Sequence, residues 1–228
     1  MSRTGDIRLG KEFNLLQALQ RDARIAGKVR IEYNPRDCGD LDKWVSILES
    51  PADGRYPCRF RLTYTMPMYV GPGQLVKDWH ASFIFEVSEE LLTNPRSDVN
   101  VSVDDGFPCG VPFHNHVNEA WVCSGSAWGA SRGMGIWYFV ICFGCLLNME
   151  RFVMAEDGPH LNGEAFEWWM TERQQRPVSN IEWPFDLLEK TEKKVIRFGE
   201  TSKAKSGTAG FTFGNTVKAR ISFGKRTN

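Results

Sequence analysis

The residue types able to do chemistry gather in one stretch, VPFHNHVNEAWVCSGSAW (111–128), which holds His114, His116 and Cys123 within ten positions. A cysteine followed by Ser124-Gly125 in a small-residue loop is open to approach. Its thiolate could attack an acyl carbonyl or a thioester if nearby amides or an imidazole lowered its pKa from about 8.5. The bland alternative is a small buried hydrophobe, the usual role of a lone cysteine. Cys109, His114, His116 and Cys123 together also have the ligand types of a structural zinc, although the Cys-x4-His-x-His-x6-Cys spacing is not a common one. A third reading makes both imidazoles purely structural, holding the loop through hydrogen bonds.

Something must position this loop, and the flanking sequence supplies it. FNLLQALQRDARIAG places Leu16, Leu19, Ala23 and Ala26 at helical spacing with Gly27 as a stop. Five short segments with two-residue alternation follow: 29–33, 43–49, 60–66, 81–87 and 99–103, separated by Asn34-Pro35, Asp53-Gly54, Gly71-Pro72-Gly73 and Asn94-Pro95. They predict an antiparallel meander of four or five strands. Residues 111–135 read as irregular and lead into an apolar helix ending near Met149 or Phe152, with Cys142 and Cys145 on one buried face. A further helix opens at Asn162, whose side chain can cap it, with Glu164 in the first turn and Phe166, Trp169 and Met170 inward; Pro177 closes it. A last helix is expected from Pro184 to about Ile196, with Leu187 and Leu188 inward and Lys193, Lys194 and Arg197 near its negative end. Strands and helices are segregated, so the class is α+β rather than doubly wound.

Composition sets the outer bounds. Among 228 residues, 28 Lys+Arg balance 28 Asp+Glu, which argues against a general nucleic-acid or membrane-surface binder. The 42% apolar and 25% charged content is that of a globular chain able to bury its core without disulfides. The longest apolar stretch, 135–147, falls short of the roughly 20 residues a bilayer span needs, and MSRTGDIRLGKEF has no leader-like apolar run. Scattered cysteines (Cys38, Cys58, Cys109, Cys123, Cys142, Cys145) fit a reduced, cytoplasmic setting. Residues 196–228 hold seven Lys/Arg against one acid, with Gly, Ser and Thr and two Phe-Gly islands. Residues 1–197 therefore read as the folded domain and 198–228 as a basic appendage, either a solvated tail or a late hairpin.

Two family resemblances bear on the loop. His-x-His followed by Ser124 is similar to the zinc-dependent isopeptidases that trim ubiquitin-like proteins, but Ala127 stands where their aspartate ligand belongs. Over roughly 12–175 the chain resembles the ubiquitin-conjugating enzyme fold, with one helix, a four-stranded meander, a loop bearing the active cysteine and further helices in this order. Asn115 precedes Cys123 by eight residues, as the family's tripeptide Asn does, and Leu146-Leu147 lies about 24 beyond the cysteine. LNGEAFEWWMTER (161–173) matches the family's Leu-x-x-Glu-Ala segment, aromatic and Thr-(Asp/Glu)-Arg, while AEDGPHL (155–161) resembles its acidic gate with an insertion before it. Phe113-His114-Asn115 replaces the usual His-Pro-Asn, and the tryptophan after the cysteine arrives early, as Trp128.

That resemblance implies a remote bacterial member of a ubiquitin-like conjugation system of the kind found in antiphage defence operons. It implies a transferase in which Cys123 receives the carboxyl terminus of a ubiquitin-like protein from an ATP-dependent activating enzyme and passes it to a target amine, with no cofactor. Asn115 would donate to an oxyanion or brace the loop. His114 and His116 would hold carbonyls or accept a proton, and Asp157, with Glu156 in reserve, would orient and desolvate the amine. Lys11, Arg21, Arg24 and Lys28 on the first helix would meet the activating enzyme. The alternatives are a non-catalytic binding module of the same fold and the zinc isopeptidase.

Overall fold

Alternation decides the sheet. In β1 (Val29–Tyr33), β3 (Arg59–Gly71) and β4 (Gln74–Glu86), Val29, Ile31, Tyr33, Phe60, Leu62, Tyr64, Ala81, Phe83 and Phe85 all turn to one buried face. The computed structural model describes residues 3–36, 39–51, 55–88, 90–91, 94, 99–104, 110–119, 121–131, 133–154, 160–172 and 177–189. All lie in one compact unit, Met1–Glu189. The expected boundary at 197/198, the basic appendage, Lys193, Lys194, Arg197, Cys38, Cys109 and the Asp53-Gly54 turn fall outside the described residues, as do Pro95, Glu156 and Asp157.

The fold is α+β. Its five-stranded antiparallel sheet runs β2-β1-β3-β4-β5, with β2 at Val45–Ser46 and β5 at Asn100–Val103. β1, β3, β4 and β5 form a four-stranded meander, and β2 is a two-residue edge on its far side. Only Val45 and Ser46 of the expected strand 43–49 pair. β3 and β4 are each 13 residues long, far beyond 60–66 and 81–87, and the ladder continues past Pro67 by shifting register between Met66 and Met68. Their turn is Gly71-Pro72-Gly73-Gln74, where Pro72 fixes the first bend and Gly73, at φ +69°, supplies the left-handed residue.

The helices cover the apolar face. α1 spans Arg3–Gln20, ten residues earlier than its periodicity indicated, and ends before Ala23, which begins a short 3-10 turn capped by Asp22. Leu9, Phe13, Leu16 and Leu19 point into the core. Lys11 and Arg21 are exposed, whereas Arg24 is engaged by Asp22 and Asp186 and Lys28 donates to the Arg24 carbonyl. α2 (Gly125–Ser131) lies within the stretch read as irregular, with Ala127, Trp128 and Ser131 inward. α3 (Ile136–Leu147) is the apolar helix, buried on almost every side. Its N-terminus is capped from another element: Glu12 of α1 accepts the Ile136 amide at 2.8 Å. Gly135 allows this approach, since a Cβ there would sit 2.6 Å from Glu12 Oε1.

α4 (Gly163–Glu172) starts after Asn162, whose Oδ1 accepts the Ala165 amide at 3.0 Å. Ala165 and Trp169 are buried, Phe166 is half-buried and Met170 is exposed, so the inward stripe is narrower than expected. Residues 177–189 then strap the core. Asn148, fully buried after α3, binds Ser179 through both ends of its amide; Trp183 lies against Gly144; Arg24 pairs with Asp186 at 2.7 Å. Of the last expected helix, only a turn reaching Glu189 is described, with Leu187 buried.

Candidate functional site

The site begins where β3 ends. The Phe113 amide donates to the Tyr69 carbonyl at 2.7 Å, and a second apolar cluster of Met149, Ala165 and Trp169, with Tyr69, Phe113 and Trp168 against it, joins the β3–β4 hairpin to α4. From this anchor the chain doubles back, with 116–118 running against 121–123. Asn118 N–H donates to the Trp121 carbonyl at 3.0 Å, Val117 bridges Val122, and Cys123 N–H donates to the His116 carbonyl at 2.8 Å. The Asn118 side chain closes the turn by accepting the Trp121 amide at 2.7 Å. Trp121 also bridges Ser102 of β5, so the hairpin extends the sheet at its edge.

Ladder geometry fixes which side chains share a face. Positions two apart point the same way, so Trp121 and Cys123, flanking Val122, share one face, whereas Val117 and His116 are both buried. On that face Trp121 is 65% exposed and Cys123 is half-buried. Cys142 and Cys145 differ: they are buried in α3, and desolvation pushes the Cys142 thiol up to about 12 and Cys145 further. Cys58, just before β3, is half-buried as Cys123 is.

The histidines brace the loop from behind. His114 Nε2 meets the Leu146 carbonyl at 2.9 Å, and its Nδ1 accepts the His116 amide at 3.1 Å, which places the proton on Nε2. With both ring nitrogens engaged, His114 can take a metal only by giving up one of these bonds. His116 is 1% exposed, and neither ring nitrogen has a partner among the described residues. Burial, reinforced by the nearby His160 at 5.9 Å between ring centroids, lowers its pKa to about 4, so it is neutral at physiological pH.

Asn115 ties the hairpin to the segment before α4. Its carbonyl accepts the Leu161 and Asn162 amides at 2.9 and 3.2 Å, and its side-chain NH2 lies 3.3 Å from His160 Nδ1. His160 in turn stacks on Phe166 with centroids 3.7 Å apart. Asn115 is therefore a buried brace, with no partner for its Oδ1 among the described residues. His160 escaped the sequence reading because its only local signal is a position just ahead of the α4 cap; the fold brings it back to the loop.

The structure brings Cys123, His116, Asn115 and His114 together and adds His160 and Trp121. Asp157 and its reserve Glu156 are outside the described residues, as is Cys109 of the proposed zinc set. Among the described residues, no three His, Cys, Asp or Glu side chains gather closely enough to hold a metal ion. Among these residues, too, no helix is long and apolar enough to cross a membrane. Comparison with protein-family models, curated proteins and solved structures finds no match to this chain. What the site defines is thus an arrangement: a half-buried cysteine on a braced sheet-edge hairpin, bonded through its backbone to a buried, neutral histidine.

Proposed function

We propose that the chain is an acyl carrier of the ubiquitin-conjugating kind, taking the carboxyl terminus of a ubiquitin-like protein onto Cys123 and delivering it to an amine, in a bacterial defence setting. The observation that carries this reading is the presentation of Cys123: half-buried rather than enclosed, on a hairpin that bridges β5 and whose lead-in residue Asn115 is bonded to the segment just before α4. The order of helix, four-stranded meander, cysteine hairpin and helices supports it.

In the first step the Cys123 sulfur attacks the thioester carbonyl presented by the activating enzyme. A new C–S bond forms, the old one breaks, and the departing sulfur takes up the proton. In the second, a neutral amine attacks the Cys123 thioester, a C–N bond forms as the C–S bond breaks, and the departing Cys123 sulfur takes up the proton that the amine loses. Asn115 acts as a positioning residue, holding 160–162 against the loop. Asp157, in the segment between Met154 and His160, desolvates and orients the amine in this scheme. A donor aimed at the developing oxyanion is worth about 3–4 kcal/mol in such chemistry.

A nonreducing gel with activating enzyme, ATP and the ubiquitin-like protein tests the reading. Parent should form a reducible adduct, Cys123→Ser a reduction-resistant ester, and Cys123→Ala none. Charging of the Ala variant at the parental level would remove Cys123 as acceptor. Burial of Asn115 and engagement of its amide favour a second reading, a non-catalytic binding module. In that case partner binding survives in Cys123→Ala and no variant affects conjugation.

A further inference from the structure

His160 reaches Asn115 from 45 positions away, and no step of the transfer scheme uses it. Two contacts fix its ring. It stacks on Phe166 of α4, with centroids 3.7 Å apart and planes 14° from parallel, and its Nδ1 lies 3.3 Å from the Asn115 side-chain nitrogen. An amide NH2 can only donate, so Nδ1 is the acceptor and the ring carries its proton on Nε2. The Leu161 and Asn162 amides both donate to the Asn115 carbonyl, so residues 160–162 hold Asn115 by its main chain and its side chain together.

This hold decides how the Asn115 carboxamide sits. The two ends of a carboxamide are nearly the same shape, so hydrogen bonds determine which way round it lies. Oδ1 does not make that choice, because it is buried with no partner among the described residues; the acceptor on His160 fixes the NH2 end. An NH2 has two N–H groups, and taking one sets the direction of the other. Asn115 also leads directly into His116, whose carbonyl accepts the Cys123 amide at 2.8 Å, so a shift at Asn115 reaches the cysteine backbone through one residue.

We propose that His160 is a positioning residue for acyl transfer from Cys123: it holds the NH2 end of Asn115 toward itself, so that the second N–H keeps one direction while the acyl group is present. This rests on Cys123 being the acceptor. The ring reaches the reaction only through Asn115, as an acceptor at Nδ1. Asparagine at position 160 would keep such an acceptor, because its Oδ1 stands about where Nδ1 does. Phenylalanine would keep the stack on Phe166 and lose the acceptor.

The first measurement needs no chemistry at the thiol. Long-range proton–nitrogen NMR spectra of the full chain at pH 7 show which ring nitrogen of His160 carries the proton, the signal being assigned by its loss in His160→Asn. The proton is expected on Nε2. The Asn115 NH2 protons, assigned with Asn115→Ala, should exchange with water about fivefold more slowly in the parent than in His160→Phe, the worth of one hydrogen bond. A proton on Nδ1, or equal exchange in the two proteins, overturns the arrangement.

The second measurement loads the full chain with a fluorescein-Gly-Gly benzyl thioester, counts the label that Cys123→Ser does not take, and follows its transfer to free lysine by intact mass. His160→Phe should transfer about fivefold more slowly than parent, and His160→Asn should recover to within about twofold. Loading, and alkylation by iodoacetamide, should stay within about twofold of parent in both variants. Transfer at the parental rate in His160→Phe, transfer as slow in His160→Asn, or a matching fall in iodoacetamide reactivity overturns the positioning role. Equal labelling of parent and Cys123→Ser, or no labelling of parent, strikes the acceptor reading, and the transfer role with it, whatever the spectra show.

Discussion

Replacing Asn148 by Ala should be among the most destabilising single changes in this chain. Asn148 is fully buried just beyond α3 and makes four side-chain hydrogen bonds. Its Nδ2 donates to Glu150 Oε1 and the Ser179 carbonyl, both at 2.8 Å; its Oδ1 accepts the Ser179 amide at 2.9 Å and the Ser179 hydroxyl at 2.8 Å. Alanine removes all four and leaves the half-buried Ser179 N–H and C=O without partners. At about 1 kcal/mol for each neutral bond, the loss is about 3–4 kcal/mol. For a domain of this size that is roughly 6–16 °C in Tm. Ser179→Ala removes one of the four bonds and should cost about 1 kcal/mol. Urea unfolding of both variants at pH 7, followed by circular dichroism, separates the two. An Asn148→Ala loss under about 1 kcal/mol, or equal losses in the two variants, would refute the view that one amide clasps the strap to α3.

Gly144→Ala should destabilise by about 2 kcal/mol despite alanine's better helix propensity, because its Cβ would lie 2.3 Å from the Trp183 ring; red-shifted tryptophan emission should accompany the loss. His116 stays neutral in the fold down to about pH 4, while in the unfolded chain it takes a proton near 6.5. Unfolding therefore binds protons between these values, and stability should fall as pH drops through that window, by on the order of 3 kcal/mol. His116→Phe should flatten this part of the stability–pH curve; an unchanged slope would contradict it. Glu12 titrates above its ordinary 4.5, because burial outweighs the Ile136 amide and Arg8, so its contribution is greatest at low pH and is lost as pH rises through the raised value. Glu12→Gln should thus be more stable than parent at pH 7, with the advantage gone below about pH 4 by urea unfolding.

Where local pattern and tertiary packing agreed, the fold was legible. β1 ends where its alternation ends, and the Asn162 cap marks the start of α4 because both signals are local. α1 begins early because Gly5 and Gly10 mask a helix in the sequence; Gly10 is there for Tyr56, whose ring would meet a Cβ at 2.6 Å. α2 hides in GSAWGAS for the same reason, since glycine and serine are weak helix formers and burial of Ala127, Trp128 and Ser131 supplies what propensity lacks. Residues 74–80, QLVKDWH, gave no clean alternation, yet Gln74, Leu75, Val76, Trp79 and His80 pair with the far half of β3. At the site, the types and spacing of Asn115, His114, His116 and Cys123 marked the loop. The bridge from the hairpin's Trp121 to Ser102, and the return of His160 to Asn115 across 45 positions, depend on contacts that no local window contains.

The most direct measurement is the intact mass of the full chain after incubation with ATP, an activating enzyme and a ubiquitin-like protein. The account predicts one added ubiquitin-like protein less one water, removed by dithiothreitol and mapped to Cys123 by digestion under acidic, nonreducing conditions. An adduct that resists dithiothreitol, maps to another residue, or persists in Cys123→Ala would contradict it.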